Sequence, residues 1–221
     1  MSSRITPDMI QNISLFRDLS LKEKQAIAPT IIRKIFEKNK VISTAGESCR
    51  EIFFVLSGRV KIFRTSLNGR EQILEILGSG DTCACNPGAT QWSCSSSAQA
   101  MSDCELGIVS RSQYVQMVKS NSTLAQALTR IFAQRLCRMS SLVEEVSLDA
   151  PEKRLIKFLL NMSESVPGIS FTHEEIAQRL GLVRETVTRH LKKLKDKALV
   201  DLKPPRILIC DKEALEKQLL K

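Results

Sequence analysis

Two short amphipathic segments on either side of one glycine constrain the fold of this chain more than any other feature. They lie in FTHEEIAQRLGLVRETVTRHLKKL, residues 171–194. Thr172 followed by Glu175 is a capping-box pattern, which predicts that a helix begins there. An apolar stripe follows on this helix before Gly181 interrupts it. The pattern therefore predicts two helices joined by a tight turn.

The second of these helices has an apolar side and a polar side. The apolar side holds Val187, Leu191 and Leu194, and the polar side holds Arg184, Glu185, Thr188 and Arg189. Arginine can pair with guanine through two hydrogen bonds, glutamate accepts from cytosine, and threonine reaches a phosphate or a thymine methyl. A solvated helix face is the simpler interpretation. The cap, the glycine turn and the polar face together favour a helix-turn-helix that binds double-stranded DNA.

Basic residues are concentrated around this second helix. Residues 184–197 hold six Lys or Arg and two Asp or Glu, in a chain whose net charge is +9. A polyanionic partner fits this balance, and Lys192 and Lys193 are placed to contact phosphates. The segment ALVDLKPPRILIC, 198–210, predicts two short strands that form a wing, and Asp211 predicts the cap of a short closing helix.

The first half of the chain is dominated by strand patterns. EIFFVLSGRVKIF, 51–63, contains two apolar runs broken at Ser57-Gly58. RTSLNGREQILEIL, 64–77, places Asn68-Gly69 between alternating runs, which indicates a hairpin with a type I′ turn. Short strands at this spacing predict a small antiparallel barrel or roll.

A long helix is predicted over residues 122–147, STLAQALTRIFAQRLCRMSSLVEEVS. Its length favours a coiled coil between two copies, although the apolar seam could pack on its own domain, and Arg135 and Arg138 interrupt a strict heptad. Pro151 fits the first turn of a following helix, so a hinge is expected near residues 148–151. The seam residues are Leu124, Leu128, Ile131, Met139, Leu142 and Val146.

The order of these parts resembles the catabolite activator and fumarate-nitrate regulator (Crp/Fnr) family over essentially the whole chain. The matching segments are LSGRVKIF, NGREQILEILGSGD, the SLD that ends the long helix, and VRETVTRHLKKL. The resemblance implies an α+β fold with a cyclic-nucleotide-binding-like antiparallel β-roll at 1–121, a dimerisation helix at 122–147 and a winged helix-turn-helix at 148–221.

The resemblance also implies what the chain binds. The family's DNA-reading positions match Arg184, Glu185 and Arg189. The implied target is a pseudo-palindrome with TGTGA-like half-sites, bound by a homodimer. RNA polymerase is the implied protein partner, and the chain is expected to act as an activator in the cytoplasm, without a membrane segment.

The family's cyclic AMP-binding residues are not matched. Cys85 stands at the position of the glutamate that holds the ribose, and Cys94 and Ser95 stand at the Arg-Ser pair that holds the phosphate. On the long helix Ser140 keeps a family position, but Met139 replaces its hydroxyl neighbour. A cyclic phosphate needs a cation and N–H donors, which a thiol does not supply. We therefore expect that cyclic AMP is not the ligand.

Clustered thiols take the place of those residues. Four of the seven cysteines lie between residues 80 and 104, and seven is an odd count for a paired disulfide framework. We expect Cys85 and Cys94 to approach one pocket, with Cys83 nearby but directed away. Thiolates suit an iron-sulfur cluster, a soft metal ion or redox chemistry, although the spacing matches no standard zinc or ferredoxin pattern. Cys104 fits packing better, and Cys49 could join the set if its loop covers the pocket.

Other functions stay open at this point. The roll could bind a small organic ligand with its cysteines playing a structural part. Haem would need a Cys or Met ligand, because His173 and His190 both lie in the predicted DNA-binding region, where a cap or phosphate contact is expected for them. A thiol or metal enzyme is the alternative of another class, but no nucleophile–base set or phosphate loop supports it. The sequence therefore predicts a regulator and not an enzyme.

Overall fold

The chain folds into two compact units. The structure, a computed structural model, describes residues 5–83, 93–165, 170–203 and 206–220. The first unit comprises Met1–Arg64 and Leu74–Arg138, and the second comprises Thr65–Ile73 and Met139–Lys221. The division falls inside the long helix, whereas the sequence pattern placed domain boundaries at residues 121 and 147.

Among the described residues before Arg111, seven strands form two sheets. Their order is β1-β7-β3 in the first sheet and β2-β6-β4-β5 in the second. The registers of β1 and β3 on β7, and of β2 and β4 on β6, are antiparallel. The strands are β1 (Ile32–Phe36), β2 (Val41–Ser43), β3 (Glu51–Ser57), β4 (Val60–Thr65), β5 (Glu71–Leu77), β6 (Ser97–Ala100) and β7 (Cys104–Ser110).

Strand β3 is buried on both of its faces. Successive side chains of a strand point to opposite sides, so Ile52 and Phe54 enter one apolar cluster while Phe53 and Val55 enter another. This explains why the sequence of β3 is a continuous apolar run and not an alternating one. The first sheet therefore lies between a helical layer and the interior of the roll.

The helical layer of the first unit is built from both ends of its chain. Capping boxes at Ser20 and Ser110 start α2 and α3, with Glu23 and Gln113 completing them. The helices are α1 (Pro7–Ile10), α2 (Leu21–Ile27), a 3-10 turn (Ala28–Thr30), α3 (Arg111–Ser120) and α4 (Ser122–Leu148). The long helix predicted at 122–147 is α4, and no helix of the described residues is long and apolar enough to cross a membrane.

Two predicted turns differ in how they are made. Gly58 lies at φ +87° between β3 and β4, as the break at Ser57-Gly58 predicted. The hairpin of β4 and β5 is also confirmed, but of its Asn68-Gly69 pair only Gly69 has positive φ. The N–H of Gly69 donates to Ser66 O at 2.9 Å in a five-residue loop. The two-residue type I′ turn predicted for this hairpin is therefore wrong.

The second unit contains the predicted helix pair and wing. Helix α4 ends at Leu148 and α5 starts at Pro151, where the sequence predicted a hinge. Phe158 of α5 packs edge-on against Phe171, with ring centroids 5.4 Å apart. The remaining elements are α5 (Pro151–Ser165), α6 (His173–Leu180), α7 (Arg184–Asp196), β8 (Val200–Lys203), β9 (Arg206–Ile209), α8 (Lys212–Lys217) and a 3-10 turn (Gln218–Leu220). The α+β class predicted from sequence is confirmed.

The substitution Gly58→Ala is expected to destabilise the first unit by about 3 kcal/mol or more. A Cβ at Gly58 would lie 2.4 Å from the carbonyl oxygen of Asp103 and 2.8 Å from Cys104 Cα, in addition to the strain of its positive φ. Gly46→Ala is the matched control, because Gly46 has the same φ of +87° but nothing within 4 Å. Gly46→Ala should lower the free energy of unfolding by only about 1–2 kcal/mol. If urea unfolding gave the same loss of free energy of unfolding for both variants, this account of Gly58 would be wrong.

Candidate nucleic-acid interface and cysteine-lined cavity

Helix α6 begins and ends as its sequence predicts. The Thr172 N–H donates to Glu175 Oε2 at 2.7 Å, and the Glu175 N–H donates to Thr172 Oγ1 at 3.1 Å, which completes the capping box. At the other end Gly181 adopts a left-handed conformation with φ 65°, and its N–H donates to Ala177 O. The helix pair is closed by an apolar contact set of Ile176, Ala177, Leu180, Val187, Leu191 and Leu194, all buried.

Side chains from elsewhere in the second unit hold the turn between the two helices. The carbonyl oxygen of Leu180 accepts from Arg154 Nη1 at 3.0 Å. The neighbouring carbonyls of Arg179 and Gly181 accept from Gln72 Nε2 at 3.1 Å and from Arg70 Nη2 at 2.9 Å. These carbonyls have no partner within the helix, so the three donors satisfy the end of α6 and fix the start of α7.

Helix α7 presents a continuous polar surface to solvent. At 100° per residue, its buried side chains occupy one side of the helix, and the exposed ones cover the opposite half. All six predicted DNA-contacting residues are exposed on that half: Arg184, Glu185, Thr188, Arg189, Lys192 and Lys193. This geometry is what a helix needs in order to lie in a major groove.

The hydroxyl of Thr188 is already engaged inside the second unit. It donates to Arg184 O at 3.0 Å and lies 2.9 Å from His173 Nδ1. Since the single hydroxyl proton goes to Arg184 O, His173 Nδ1–H is the donor of the second bond. Burial, with the charge of Arg184 adding to it, lowers the pKa of His173, which favours this neutral ring. Because the hydroxyl of Thr188 is engaged in this way, its methyl group is the part left for contact with a DNA groove.

The second histidine is not on the exposed surface of α7. His190 is buried, and its Nδ1 lies 3.6 Å from Glu152 Oε2 on α5. Burial is the main cause that lowers the pKa of His190, and the Glu152 carboxylate opposes it. The phosphate contact or cap predicted for His190 is therefore wrong, and the residue belongs to the packing between α5 and α7.

A cavity of about 540 Å³ lies in the first unit, inside the roll. Part of its wall is apolar, from Phe36, Ile42, Phe53, Ile62, Ala98 and Ile108. The rest is polar and includes three cysteines, Cys49, Cys83 and Cys94. The cavity has the size of a small-molecule site.

The cavity brings together some of the predicted sensor cysteines and separates others. Cys83 lines the cavity, so the prediction that it points away is wrong, and its Sγ accepts from Phe53 N at 3.1 Å. Cys94 is half-buried, and its thiol is hydrogen-bonded to the thiol of Cys49 and to the Ser43 hydroxyl. Burial first, and then the neighbouring Cys49 thiol, raise the pKa of the Cys94 thiol. Cys85 lies outside the described residues.

Cys104 has a different environment. Its buried Sγ lies 3.1 Å from the carbonyl oxygens of Arg59 and Ser102, next to the Gly58 turn. It does not line the cavity, in agreement with the packing role favoured for it. Cys137 and Cys210 are exposed, on α4 and after β9.

The cysteines of the described residues do not form a metal-binding set. Within residues 5–83, 93–165, 170–203 and 206–220, no three His, Cys, Asp or Glu side chains are arranged to hold a metal ion. Iron-sulfur clusters are held by four protein ligands, and structural zinc likewise takes four. The thiols described here therefore do not fit a cluster or a structural metal by themselves.

An ion-pair network joins the cavity to α4. Arg135 Nε lies 3.1 Å from Glu75 Oε2, and Arg138 Nη2 lies 3.1 Å from Glu75 Oε1. The Arg135 guanidinium also donates to the carbonyl oxygen of Thr82. Glu75 and Arg135 both line the cavity. The two arginines that interrupt the heptad pattern of α4 are therefore explained by a carboxylate on β5, which sequence analysis did not identify.

The predicted seam of α4 is divided between two surfaces. Leu124, Leu128, Ile131 and Leu142 are buried within the chain itself, and Val146 is half-buried. Met139 is exposed, and so are two apolar residues outside the predicted seam, Leu136 and Val143, with exposed fractions of 70% and 64%. Most of the predicted seam is thus buried within the chain itself.

Two sequence-family models match this chain. The model of the cyclic nucleotide-binding domain matches residues 33–121, and that of the Crp-like helix-turn-helix domain matches residues 153–218. The cyclic AMP receptor protein of Thermus thermophilus is 28% identical over 204 residues, which cover 91% of this chain and 94% of that protein.

Solved structures give the same result. A Eubacterium rectale protein assigned to the crp/fnr family of transcriptional regulators is 27% identical, with a TM-score of 0.74 and coverage of 96% of this chain and 100% of that one. FixK2 from Bradyrhizobium japonicum shares the fold, with a TM-score of 0.77 at 21% identity, over 85% of this chain and 96% of that one. The two family models, the relatives and the exposed surface of α7 agree, and the chain belongs to the Crp/Fnr family of DNA-binding transcription regulators.

Proposed function

We propose that this chain is a homodimeric transcription regulator that binds a pseudo-palindromic DNA site and responds to a signal other than cyclic AMP. The observation that carries the DNA-binding part is the exposed polar half of α7. It is held by a capped α6 and by a turn in which the carbonyls of Arg179, Leu180 and Gly181 accept hydrogen bonds. The cysteine-lined cavity supports the second part. RNA polymerase is the proposed partner when the chain acts as an activator, as the family resemblance implies.

We propose that some exposed residues of α7 contact DNA bases and that others contact phosphates. Arg184 and Arg189 are proposed to pair with guanines, and Glu185 with a cytosine amino group, which suits TGTGA-like half-sites. Lys192 and Lys193 lie further along the helix and are proposed to contact phosphates. In a symmetric dimer the two half-sites would lie about one helical turn, roughly 34 Å, apart.

The dimer is proposed to form along an exposed stripe of α4. Leu136, Met139 and Val143 are separated by three and four residues, which is the spacing of a coiled-coil seam. Half-buried Phe132 extends the stripe by one turn. These residues replace most of the seam predicted from the sequence, because the stronger apolar stripe of α4 is used by the core.

The charges of the cavity support the proposal that cyclic AMP is not the signal. Among the described residues, Arg50 and Arg135 are the lysine or arginine side chains that line it. Arg135 is paired with Glu75. By the family resemblance, Cys94 and Ser95, which line the cavity, stand at the position at which the family holds a phosphate. A thiol and a serine hydroxyl do not supply the cation that a buried anionic phosphate needs at that position. The thiols in the cavity favour redox sensing, and a soft metal or cluster would need further ligands.

A small organic ligand is the second candidate for the signal. The apolar wall formed by Phe36, Ile42 and Ile62, together with a volume of about 540 Å³, favours it. Its cysteines would then be structural. In the reduced protein, a ligand of this kind would protect the cavity thiols from alkylation without any oxidant, which separates it from redox sensing.

Arg189→Ala should weaken binding to the best DNA site by about 5- to 150-fold and relax the base preference at one position of each half-site. Lys193→Ala is the matched control on the same helix. It should weaken all sequences alike and reduce the slope of log affinity against log salt by about 1. Fluorescence anisotropy with specific and scrambled duplexes at several salt concentrations measures both effects. If Arg189→Ala kept the affinity and selectivity of the parent, the assignment of α7 as the reading helix would fail.

Leu136→Glu combined with Val143→Glu should convert the dimer to a monomer, because two carboxylates would face their symmetry copies in an apolar seam. Gln134→Glu is the control, since Gln134 is exposed on the opposite side of the same helix. Light scattering after size-exclusion chromatography gives the mass of each variant. A double variant that stays dimeric would place the interface elsewhere.

Cyclic AMP at about 1 mM should change neither the melting temperature nor the DNA affinity of this chain. A ligand that binds only the folded state raises the melting temperature by mass action, so a thermal-shift assay detects it. The Thermus thermophilus cyclic AMP receptor protein serves as the positive control. A concentration-dependent rise in melting temperature with this chain would overturn the proposal that cyclic AMP is not bound.

A further inference from the structure

We propose that Cys49 and Cys94 form a reversible disulfide in the wall of the cavity, and that this bond is the redox-sensitive element of the first unit. The inference rests on the proposed function in one respect, namely that the first unit is the sensor. It differs from the sequence prediction in its members, because it pairs Cys94 with a residue from the loop before β3 and not with Cys83 or Cys85. The contacts of the two segments carry the argument.

Backbone hydrogen bonds bring the two cysteines to the same place. The Cys94 N–H donates to Glu47 O at 2.8 Å, and the Gly46 N–H donates to Cys94 O at 2.8 Å. Ser48 and Ser93 form an antiparallel bridge next to the first of these bonds. Side chains two residues apart on one strand share a face, so Cys49 lies on the same face as Glu47, which is opposite Cys94. The two thiols meet there and are hydrogen-bonded to each other.

The surroundings of the pair differ from those of a packing cysteine. Cys104 is buried against two backbone carbonyls, from Arg59 and Ser102. Cys49 and Cys94 instead present sulfur to sulfur at the surface of a cavity, where a small oxidant can reach them. Cys94 is half-buried, and Ser48 and Ser93 form an isolated bridge beside it. A disulfide requires the sulfurs to close to about 2.05 Å.

Hydrogen peroxide is the oxidant that the proposal names. One thiolate of the pair attacks the O–O bond, which gives a sulfenic acid and hydroxide. The second thiol then displaces the hydroxyl group of the sulfenic acid, forming the S–S bond and releasing water. Two thiols and one peroxide thus yield one disulfide and two waters. A dithiol reductant returns two hydrogen atoms to the pair and becomes a disulfide itself.

The environment of Cys94 predicts how the reaction depends on pH. Burial, the Cys49 thiol and the Glu47 carboxylate raise the pKa of Cys94, while the Ser43 hydroxyl opposes them. The thiolate is the reactive form, so the rate of oxidation should rise from about pH 7 to about pH 9. Near neutrality the pair stays reduced unless peroxide is present.

The bond would change the cavity in a defined way. Cys49 lies two residues before β3, and Cys94 lies three residues before β6, the strand that pairs with β2 and β4. Each sheet of the roll thus has one end next to the pair, and the disulfide would join the two sheets covalently at that point. The oxidised and reduced forms then offer two arrangements of the cavity wall, which is what a sensor needs in order to shift a population.

The first test is disulfide mapping on the full chain. The reduced protein is treated with hydrogen peroxide, alkylated, digested and examined by mass spectrometry. We expect a crosslinked peptide that contains Cys49 and Cys94, reversed by a dithiol and formed faster at higher pH. Cys137→Ser and Cys210→Ser, at exposed cysteines, should form it as the parent does. Cys49→Ser should lose it.

Other products of the same experiment overturn the inference. A crosslink from Cys94 to Cys85 or to Cys83 would show that Cys49 is not the partner of Cys94. If no crosslink forms, the proposed disulfide does not exist. If the reduced protein binds zinc or copper stoichiometrically through both thiols, the pair is a metal site and not a redox pair. None of these results depends on whether the chain binds DNA.

The second test links the bond to regulation. The affinity of the oxidised parent for its DNA site should differ at least several-fold from that of the reduced parent, whereas Cys49→Ser should show no change with peroxide. Equal affinities of the two parent forms, with the crosslink present, would overturn the regulatory role of the bond. If the reduced parent itself fails to bind any pseudo-palindromic DNA, the proposed function fails, whatever the mapping shows.

Discussion

The first unit depends on a sheet that is covered on both faces. Phe54 of β3 packs on Phe16, with ring centroids 4.8 Å apart, in the cluster that also contains Leu124 and Leu128 of α4. The neighbouring residue, Phe53, points the other way and lines the cavity. A single strand thus separates the cavity from the start of the long helix. Because protein interiors are close-packed, a displacement of this strand is felt on both sides.

The parts of the fold that the sequence predicted well are those specified by neighbouring residues. The capping box at Thr172 and Glu175, the glycine turn at Gly181 and the break before Pro151 are local patterns, and each lies where it was predicted. The surface of α7 followed from them, since 3.6-residue periodicity determines which side chains share a face. The seam of α4 was harder, because this helix has two apolar stripes. The sequence shows both, but only the tertiary structure shows that Leu124 and Leu128 are used by the core.

The cysteine-lined cavity contains contacts between residues far apart in the sequence, which sequence patterns do not predict. A search of short windows finds Cys83, Cys85 and Cys94 together, and Cys49 joins them only on the condition that its loop covers the pocket. The pairing of residues 46–48 with 93–94 brings Cys49 to Cys94, and such long-range pairing has no local signature. The Glu75 network was missed for the same reason. Its only local sign was that Arg135 and Arg138 break the heptad pattern, which shows that these positions face something other than an apolar seam.

The charges around the cavity also bear on which kind of signal it can accept. An anionic ligand that used Arg135 would have to compete with Glu75 for it, and these two side chains are mostly buried, with exposed fractions of 21% for Arg135 and 17% for Glu75. Separating such a pair leaves a partly desolvated carboxylate without its partner, which is costly. Joining two neutral thiols changes no charge. The network of Glu75, Arg135 and Arg138 can therefore stay intact in the oxidised and reduced states, with α4 still attached to β5.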